Sequence, residues 1–500
     1  MSANEITLKP EAKNKQKWLV IILLLIPFII SLFQLRMLDN DFYFLYATGE
    51  YVTKHGFPFT DMLSMHSSMK IIVQQWLSAV IFYYVYSFCG ATGIIALLYA
   101  CYAAIIALVY KYLKLITDKP VLSAFFSAIL GFVLFDAYMV TRPQMFTYVI
   151  LLIEVCLMEK HVKTKNAKYL YAIPFLSLAL VNLHGAMWAM LLVFMLPYLV
   201  SAFAIDTKSF KLEAHGSFPA MLAVFAISIV CGLLNPYSWE TMIYLLSSYG
   251  QNSLSIILEM SPTSLSSSEG KTFFVIFGIA CLAVCFLRKK ITITRRFFLL
   301  FAGTLLLGLL QIKGIPYFFM FGVPAFTHSI KDIDFSKLKK PLKPYNKKSI
   351  KVLAVIFLSI CLLYVCEARY FTTKDINDGK AKHFERLDQI ISILDASEQE
   401  VVLYTNFNDG QYLEMHGYHP YIDGRAELFL AKNNKEYDYF VEYGALMLGS
   451  IYYRDFTDKY GFNYLILDKT PDCNLYYSLI HDEDFKLIYE DGNVSLFKRK

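Results

Sequence analysis

The residues whose type and spacing could do chemistry are two carboxylates, Asp39 and Asp41, within Leu-Asp-Asn-Asp-Phe-Tyr-Phe-Leu-Tyr-Ala-Thr-Gly (38–49). They follow an apolar stretch, Trp18–Leu35, and open a polar loop. A carboxylate there can take a proton from an acceptor hydroxyl or amine. Two carboxylates so close can also hold a divalent cation, Mg or Mn, against a phosphate. The aromatic run that follows suits a wall against a lipid or a sugar face. Helix-end capping beside an aromatic belt fits the same residues about equally well. Asp-x-Asp alone is a weak motif, and its location is what strengthens it.

That location depends on the elements around it. The chain has 500 residues, 56% hydrophobic and only 18% charged, whereas soluble proteins average about a quarter charged. Its apolar residues gather in blocks near the roughly 20 residues that a spanning helix needs. These are Trp18–Leu35, Ile94–Tyr112, Val121–Tyr138, Met145–Met158, Ala220–Leu234, Phe273–Leu287, Phe297–Gln311, Tyr317–Phe326 and Val352–Val365. The expected fold is an α-helical polytopic membrane protein with about eleven spans. The first block is longer than a signal-peptide core and lacks a small-x-small site, so it should stay as a helix.

Charge sets the orientation. Lysines and arginines crowd alternate loops: Lys9 to Lys17, Lys111 to Lys119, Lys160 to Lys168, Lys208 and Lys211, Arg288 to Arg296, and eight lysines from Lys331 to Lys351. The positive-inside rule puts these in the cytoplasm. The net charge of +6 is thereby explained without nucleic acid. Trp76–Phe88 is apolar, but if it and Ile94–Tyr112 both crossed, every later lysine cluster would move outside. It is therefore read as an interfacial or re-entrant helix. The nine cysteines lie mostly in apolar segments and imply no disulfide framework.

The resulting organisation is a basic cytoplasmic N-terminus (1–17), a membrane part (18–368) with outer loops 36–75 and 235–271, and an outer α/β domain (383–500). Within the second loop, 261–270 reads as a mobile linker. In the last region, Phe384–Leu394 has helical spacing, Val401–Tyr404 and Tyr464–Leu467 read as strands, and Phe485–Tyr489 with Val494–Phe497 reads as a hairpin.

Topology disfavours basic residues outside, so the few there stand out. Arg142 precedes Pro143 and Gln144 at the start of an apolar helix, where the helix N-terminus and a guanidinium would together favour a phosphate. Lys313 ends another span. Each also fits snorkelling to lipid headgroups. His184, in Asn182-Leu183-His184-Gly185, lies at an outer turn within reach of substrate, though a lone histidine is more often structural. Asn235 and Glu259 share that ambiguity in the second outer loop. Glu154 lies inside a span, where burial against another helix is expected. Tyr421-Ile422-Asp423-Gly424-Arg425-Ala426-Glu427 could grip a sugar or cap the membrane cavity, and a solvated turn with an Asp–Arg pair fits it equally well.

Taken together these motifs resemble the GT-C superfamily of membrane glycosyltransferases, and more closely a bacterial membrane-protein group distantly related to the protein O-mannosyltransferases. The resemblance rests on Asp39-x-Asp41 with Thr48-Gly49, Gly56-Phe57-Pro58 with Asp61 and Ser64, and Trp76-Leu77-Ser78. It continues through Arg142-Pro143-Gln144-x-Phe146-Thr147, Asn182 to Gly185, Leu234-Asn235-Pro236-Tyr237 and Asp423-Gly424-Arg425. It implies Asp41, then Asp39, as catalytic base or metal ligand, and Arg142 as holder of a lipid phosphate. Gln144, His184, Asn235, Asp61, Lys313 and Arg425 join them as substrate-binding residues. The donor it implies is a polyprenyl-phosphate sugar, with a glycan, lipid or protein acceptor outside the membrane. The chain departs from the group's pattern at Tyr43 and Phe44, where many members have Trp, at Leu45 (His) and at Gln75 (Glu). A polymerase or ligase of lipid-linked glycans would need the same site. A scaffold or transporter in envelope assembly would need none of it.

Overall fold

Long apolar stretches become helices here because a helix satisfies its own backbone hydrogen bonds where no water can. The computed structural model describes residues 10–34, 36–207, 210–212, 214–248, 259, 261–287, 294–332 and 347–500. The basic segments 1–9, 288–293 and 333–346, which carry part of the orientation reading, lie outside the described residues.

The helices run α1 (Pro10–Leu32), α2 (Asn40–His55), α3 (Trp76–Thr117), α4 (Pro120–Tyr138), α5 (Gln144–Thr164), α6 (Ile173–His184), α7 (Trp188–Ser201), α8 (Phe218–Gly232), α9 (Trp239–Ser248), α10 (Ser268–Leu287) and α11 (Arg295–Leu310). A small hairpin, β1 (Ile205–Thr207) and β2 (Phe210–Leu212), joins α7 to α8. Short α12 (Ile315–Tyr317) and α13 (Val323–Ser329) flank a π-turn at Phe318–Gly322. Among the described residues, three stretches are individually long and apolar enough to cross a membrane: Lys13–Leu32, Trp76–Thr117 and Ala167–Ser201.

Two sequence expectations change. The first outer loop is not simply a loop, because α2 occupies Asn40–His55. Asp39 is its N-cap, and its side chain accepts from the Asp41 backbone N–H at 3.1 Å. The apolar pieces on either side of Gly90 stay two helical arms, labelled together α3, that meet at a kink where Gly90 takes φ 60°, a conformation glycine adopts without a Cβ clash. The first arm of α3 lies hard against α2: a Cβ on Gly49 would fall 2.1 Å from the Ala79 carbonyl oxygen. The segment 261–270 is docked, not a free linker. Ser261 O accepts from Ile312 N (3.1 Å) and Thr263 Oγ1 donates to Gly308 O (2.5 Å).

Inside the bundle, Glu154 is fully buried as expected, with no hydrogen-bond partner on its carboxyl oxygens among the described residues. Five residues on, Glu159 pairs with Arg296 of α11 at 2.9 Å and accepts from Tyr198.

The last long helix, α14 (Lys347–Asp395), runs without a break across the boundary read near 366–383. Beyond it β3 (Leu403–Tyr404), β4 (Tyr464–Asp468), β5 (Phe485–Asp491) and β6 (Val494–Arg499) form a sheet of order β3-β4-β6-β5. The β3–β4 pair is parallel and the others antiparallel. Helices α15 (Gly410–Met415), α16 (Ala431–Asn434), α17 (Tyr439–Met447), α18 (Tyr453–Tyr460) and α19 (Cys473–Leu479) surround it. Met69, Ile71, Ile72, Val73, Tyr237 and Tyr244 pack into the same core as Tyr404, Tyr421 and Phe462. The two loops read as outer are thus built into the C-terminal region, and the space left between them is the site.

Candidate active site

Capping by Asp39 turns the first residues of α2 toward the bend before α5. Thr141 Oγ1 accepts from Asp39 N at 2.8 Å and fixes that approach. Arg142, in the bend, then meets both acids: its Nε lies 2.6 Å from Asp39 Oδ1 and 3.2 Å from Asp41 Oδ2. Its other face meets Glu259, 3.3 Å away. Burial pushes the Asp41 carboxyl up to about 7, against the lowering by Arg142 and with a further rise from Asp39. The same carboxylates hold Arg142 firmly protonated despite its burial.

These residues border a cavity of 780 Å³ between the membrane part and the C-terminal region. Of the residues nominated from sequence, Asp39, Asp41, Arg142, Gln144, His184, Lys313 and Arg425 line it. Gln144 donates to the Tyr148 hydroxyl. His184 ends α6 and engages Thr147 Oγ1 through Nδ1 at 2.7 Å, which leaves Nε2 for the cavity. Lys313 sits in the turn after α11, and burial holds its ammonium below the usual lysine range. Leu45 and Gln75, the departures from the family pattern, are also in the wall. Met187, Met190, Leu307 and Leu310 give it an apolar side.

Asp61 and Asn235 are placed elsewhere. Asn235 spends its amide within its own turn, donating to Gly232 O and Ser238 O and accepting from Tyr237 N and Thr241 Oγ1. Asp61 is buried and pairs with Arg425 at 2.6 Å. Arg425 also contacts Asp423 (2.5 Å) and Glu414 (3.1 Å), and all three carboxylate side chains are fully buried. Burial raises the Asp61 carboxyl, but Arg425 and the Ser64 hydrogen bonds outweigh it and leave it below its usual range. Burial and Asp423 drive Glu414 well above its own. Beside this cluster His66 stacks on Tyr439 at 3.8 Å and bonds the Tyr421 carbonyl at 2.9 Å. The first outer loop is thereby clamped to the C-terminal region.

A divalent cation at Asp39 and Asp41 would need the place that the Arg142 guanidinium fills. Among the described residues no group of three His, Cys, Asp or Glu side chains is set to hold a metal ion. As arranged, the acids fit an arginine.

Sequence reading missed part of the wall. Phe407, Asn408 and Gln411 reach the cavity from the C-terminal region, and Lys380 from α14. Nothing local distinguishes them, because tertiary packing alone brings them there.

No protein-family model matches the chain, and no curated protein matches it. Among solved structures it is similar to the oligosaccharyltransferase of Archaeoglobus fulgidus, in a crystal structure tethered by a disulfide to an acceptor peptide containing the NVT sequon. The TM-score is 0.55 at 11% identity, over 93% of this chain and 71% of that one. At that identity the likeness is one of fold alone.

Proposed function

We propose that the chain is a membrane glycosyltransferase that moves a sugar from a polyprenyl-phosphate donor to an acceptor outside the membrane. The observation that carries this reading is Asp41, tied to Arg142 through Oδ2 and facing the cavity. An acceptor oxygen attacks the anomeric carbon while its proton passes to Asp41. The bond from that carbon to the phosphate oxygen breaks, and its electron pair leaves with the polyprenyl phosphate. Attack opposite the leaving group inverts the anomeric centre.

Arg142, nominated from sequence for the phosphate, contacts Asp39, Asp41 and Glu259 and in this reading orients the acids. The phosphate falls to Lys313 and His184. Thr147 Oγ1 and His184 Nδ1 lie 2.7 Å apart; in the tautomer that takes the Thr147 proton at Nδ1, His184 carries its own on Nε2 and offers it to the departing oxygens. The polyprenyl chain lies along Met187, Met190, Leu307 and Leu310.

Deleting the gene and comparing surface glycans by mass spectrometry tests this, with complementation by wild type and by Asp41→Asn. A sugar lost on deletion and restored only by wild type is the expected result. Unchanged glycans, or full rescue by Asp41→Asn, would favour a scaffold instead.

A further inference from the structure

The backbone of Gly424 forms part of the cavity wall over Asp41. A Cβ built there would lie 2.8 Å from Gln411 Nε2 and 3.3 Å from Asp41 Oδ1. A donor and an acceptor therefore converge on one small gap that exists because residue 424 has no side chain. Both groups are held in that attitude. Gln411 is 2% exposed, and its Oε1 takes the Gly424 N–H at 2.9 Å, which turns Nε2 outward. Asp41 Oδ2 is engaged by Arg142, which leaves Oδ1. Among the described residues neither Gln411 Nε2 nor Asp41 Oδ1 has a hydrogen-bond partner.

We infer that this gap is the acceptor slot and that it takes a hydroxyl group. The inference rests on the glycosyl transfer proposed above. A hydroxyl gives one proton, here to Asp41 Oδ1, and accepts at its oxygen, here from Gln411 Nε2. An ammonium has only donors, and a carboxamide nitrogen offers no lone pair, so either would leave the Gln411 N–H facing another donor. Gln411 is thus a positioning group for the nucleophilic oxygen, and Gly424 sets the size of the slot. Gly424 is not among the glycines at positive φ, so alanine at 424 fills the slot without straining the backbone.

The test uses the full chain in nanodiscs with a panel of labelled short polyprenyl-phosphate hexoses. It compares transfer to octanol and octylamine with hydrolysis of the donor. Gln411→Glu keeps the oxygen that seats Gly424 and removes the donor; Gly424→Ala fills the gap. Expected are transfer to octanol over octylamine and, in both variants, a transfer-to-hydrolysis ratio lower by at least about ten-fold, the effect of one lost hydrogen bond to the reacting group. Thermal unfolding of Gly424→Ala at the wild-type midpoint separates a filled slot from a misfolded protein. Equal use of octylamine, or unchanged ratios in both variants while Asp41→Asn is inactive, would overturn the slot alone. Normal transfer by Asp41→Asn, or no sugar released by any protein, would sink the parent reading and the slot with it.

Discussion

Arg142 Nε stands 3.2 Å from Asp41 Oδ2 and 2.6 Å from Asp39 Oδ1, so one guanidinium holds both acids of the first outer segment. This makes Arg142 an orienting partner of the base. It also ties the base's proton affinity to a residue that can be changed.

Transfer should depend on pH through Asp41. Its carboxyl is pushed up to about 7 by burial, and only the ionised form can accept a proton. The rate should therefore climb as pH rises toward about 7 and level off above it. A pH–rate profile on reconstituted protein checks this; a rate already flat from pH 5 upward would exclude Asp41 as the titrating base.

Replacing Arg142 with Gln removes the group that lowers the Asp41 pKa. The inflection should then move to higher pH, and the maximal rate should fall because the carboxylate loses its seat. The same profile, run on the variant, separates these effects. An inflection displaced to lower pH would contradict the assignment.

Lys313→Met should weaken donor handling. One charge-assisted hydrogen bond contributes about 1.5–3 kcal/mol, so kcat/KM for the donor should drop by roughly 10–100-fold. Varying donor at fixed acceptor reads this directly. A loss confined to the acceptor KM would place Lys313 on the other side of the reaction.

Arg425→Ala should act on folding. It leaves Asp61, Asp423 and Glu414 buried without their shared cation, and breaking such a pair costs about 3–5 kcal/mol. Thermal unfolding in detergent should shift clearly downward. An unchanged midpoint would mean that the clamp between first outer loop and C-terminal region adds little.

Chelation should leave turnover in place, since Arg142 already fills the position between the two acids. Assays with and without EDTA decide this. Activity lost to EDTA and restored by Mn²⁺ would put an ion at the site.

Much of this was legible in the sequence where a local pattern carries the information. The alternation in Phe485–Tyr489 and Val494–Phe497 reads correctly as the β5–β6 hairpin. The apolar opening block reads as α1. Polar outer residues drew notice because membrane topology makes them unusual, which is how Asp39, Arg142, His184 and Lys313 were found together. Where the pattern is mixed, reading failed. Helix α2 sets a continuous aromatic run, Phe42 to Tyr46, before a mixed polar stretch, so no clear helical period marks it, and it packs closely on α3 at Gly49. Long-range partners were invisible: Asp61 and Arg425 are 364 residues apart, and no local signal marks Gln411. Asp61 was noticed as a site residue, yet its carboxylate is consumed by the clamp.

The most direct measurement is transfer of labelled sugar from a polyprenyl-phosphate donor by reconstituted wild type and Asp41→Asn at pH 8. Both proteins must first show the same thermal unfolding. A positioned base contributes about 10²–10⁴-fold, so the variant should fall by that order while still binding donor. Transfer by Asp41→Asn at the wild-type rate would contradict a catalytic role for Asp41.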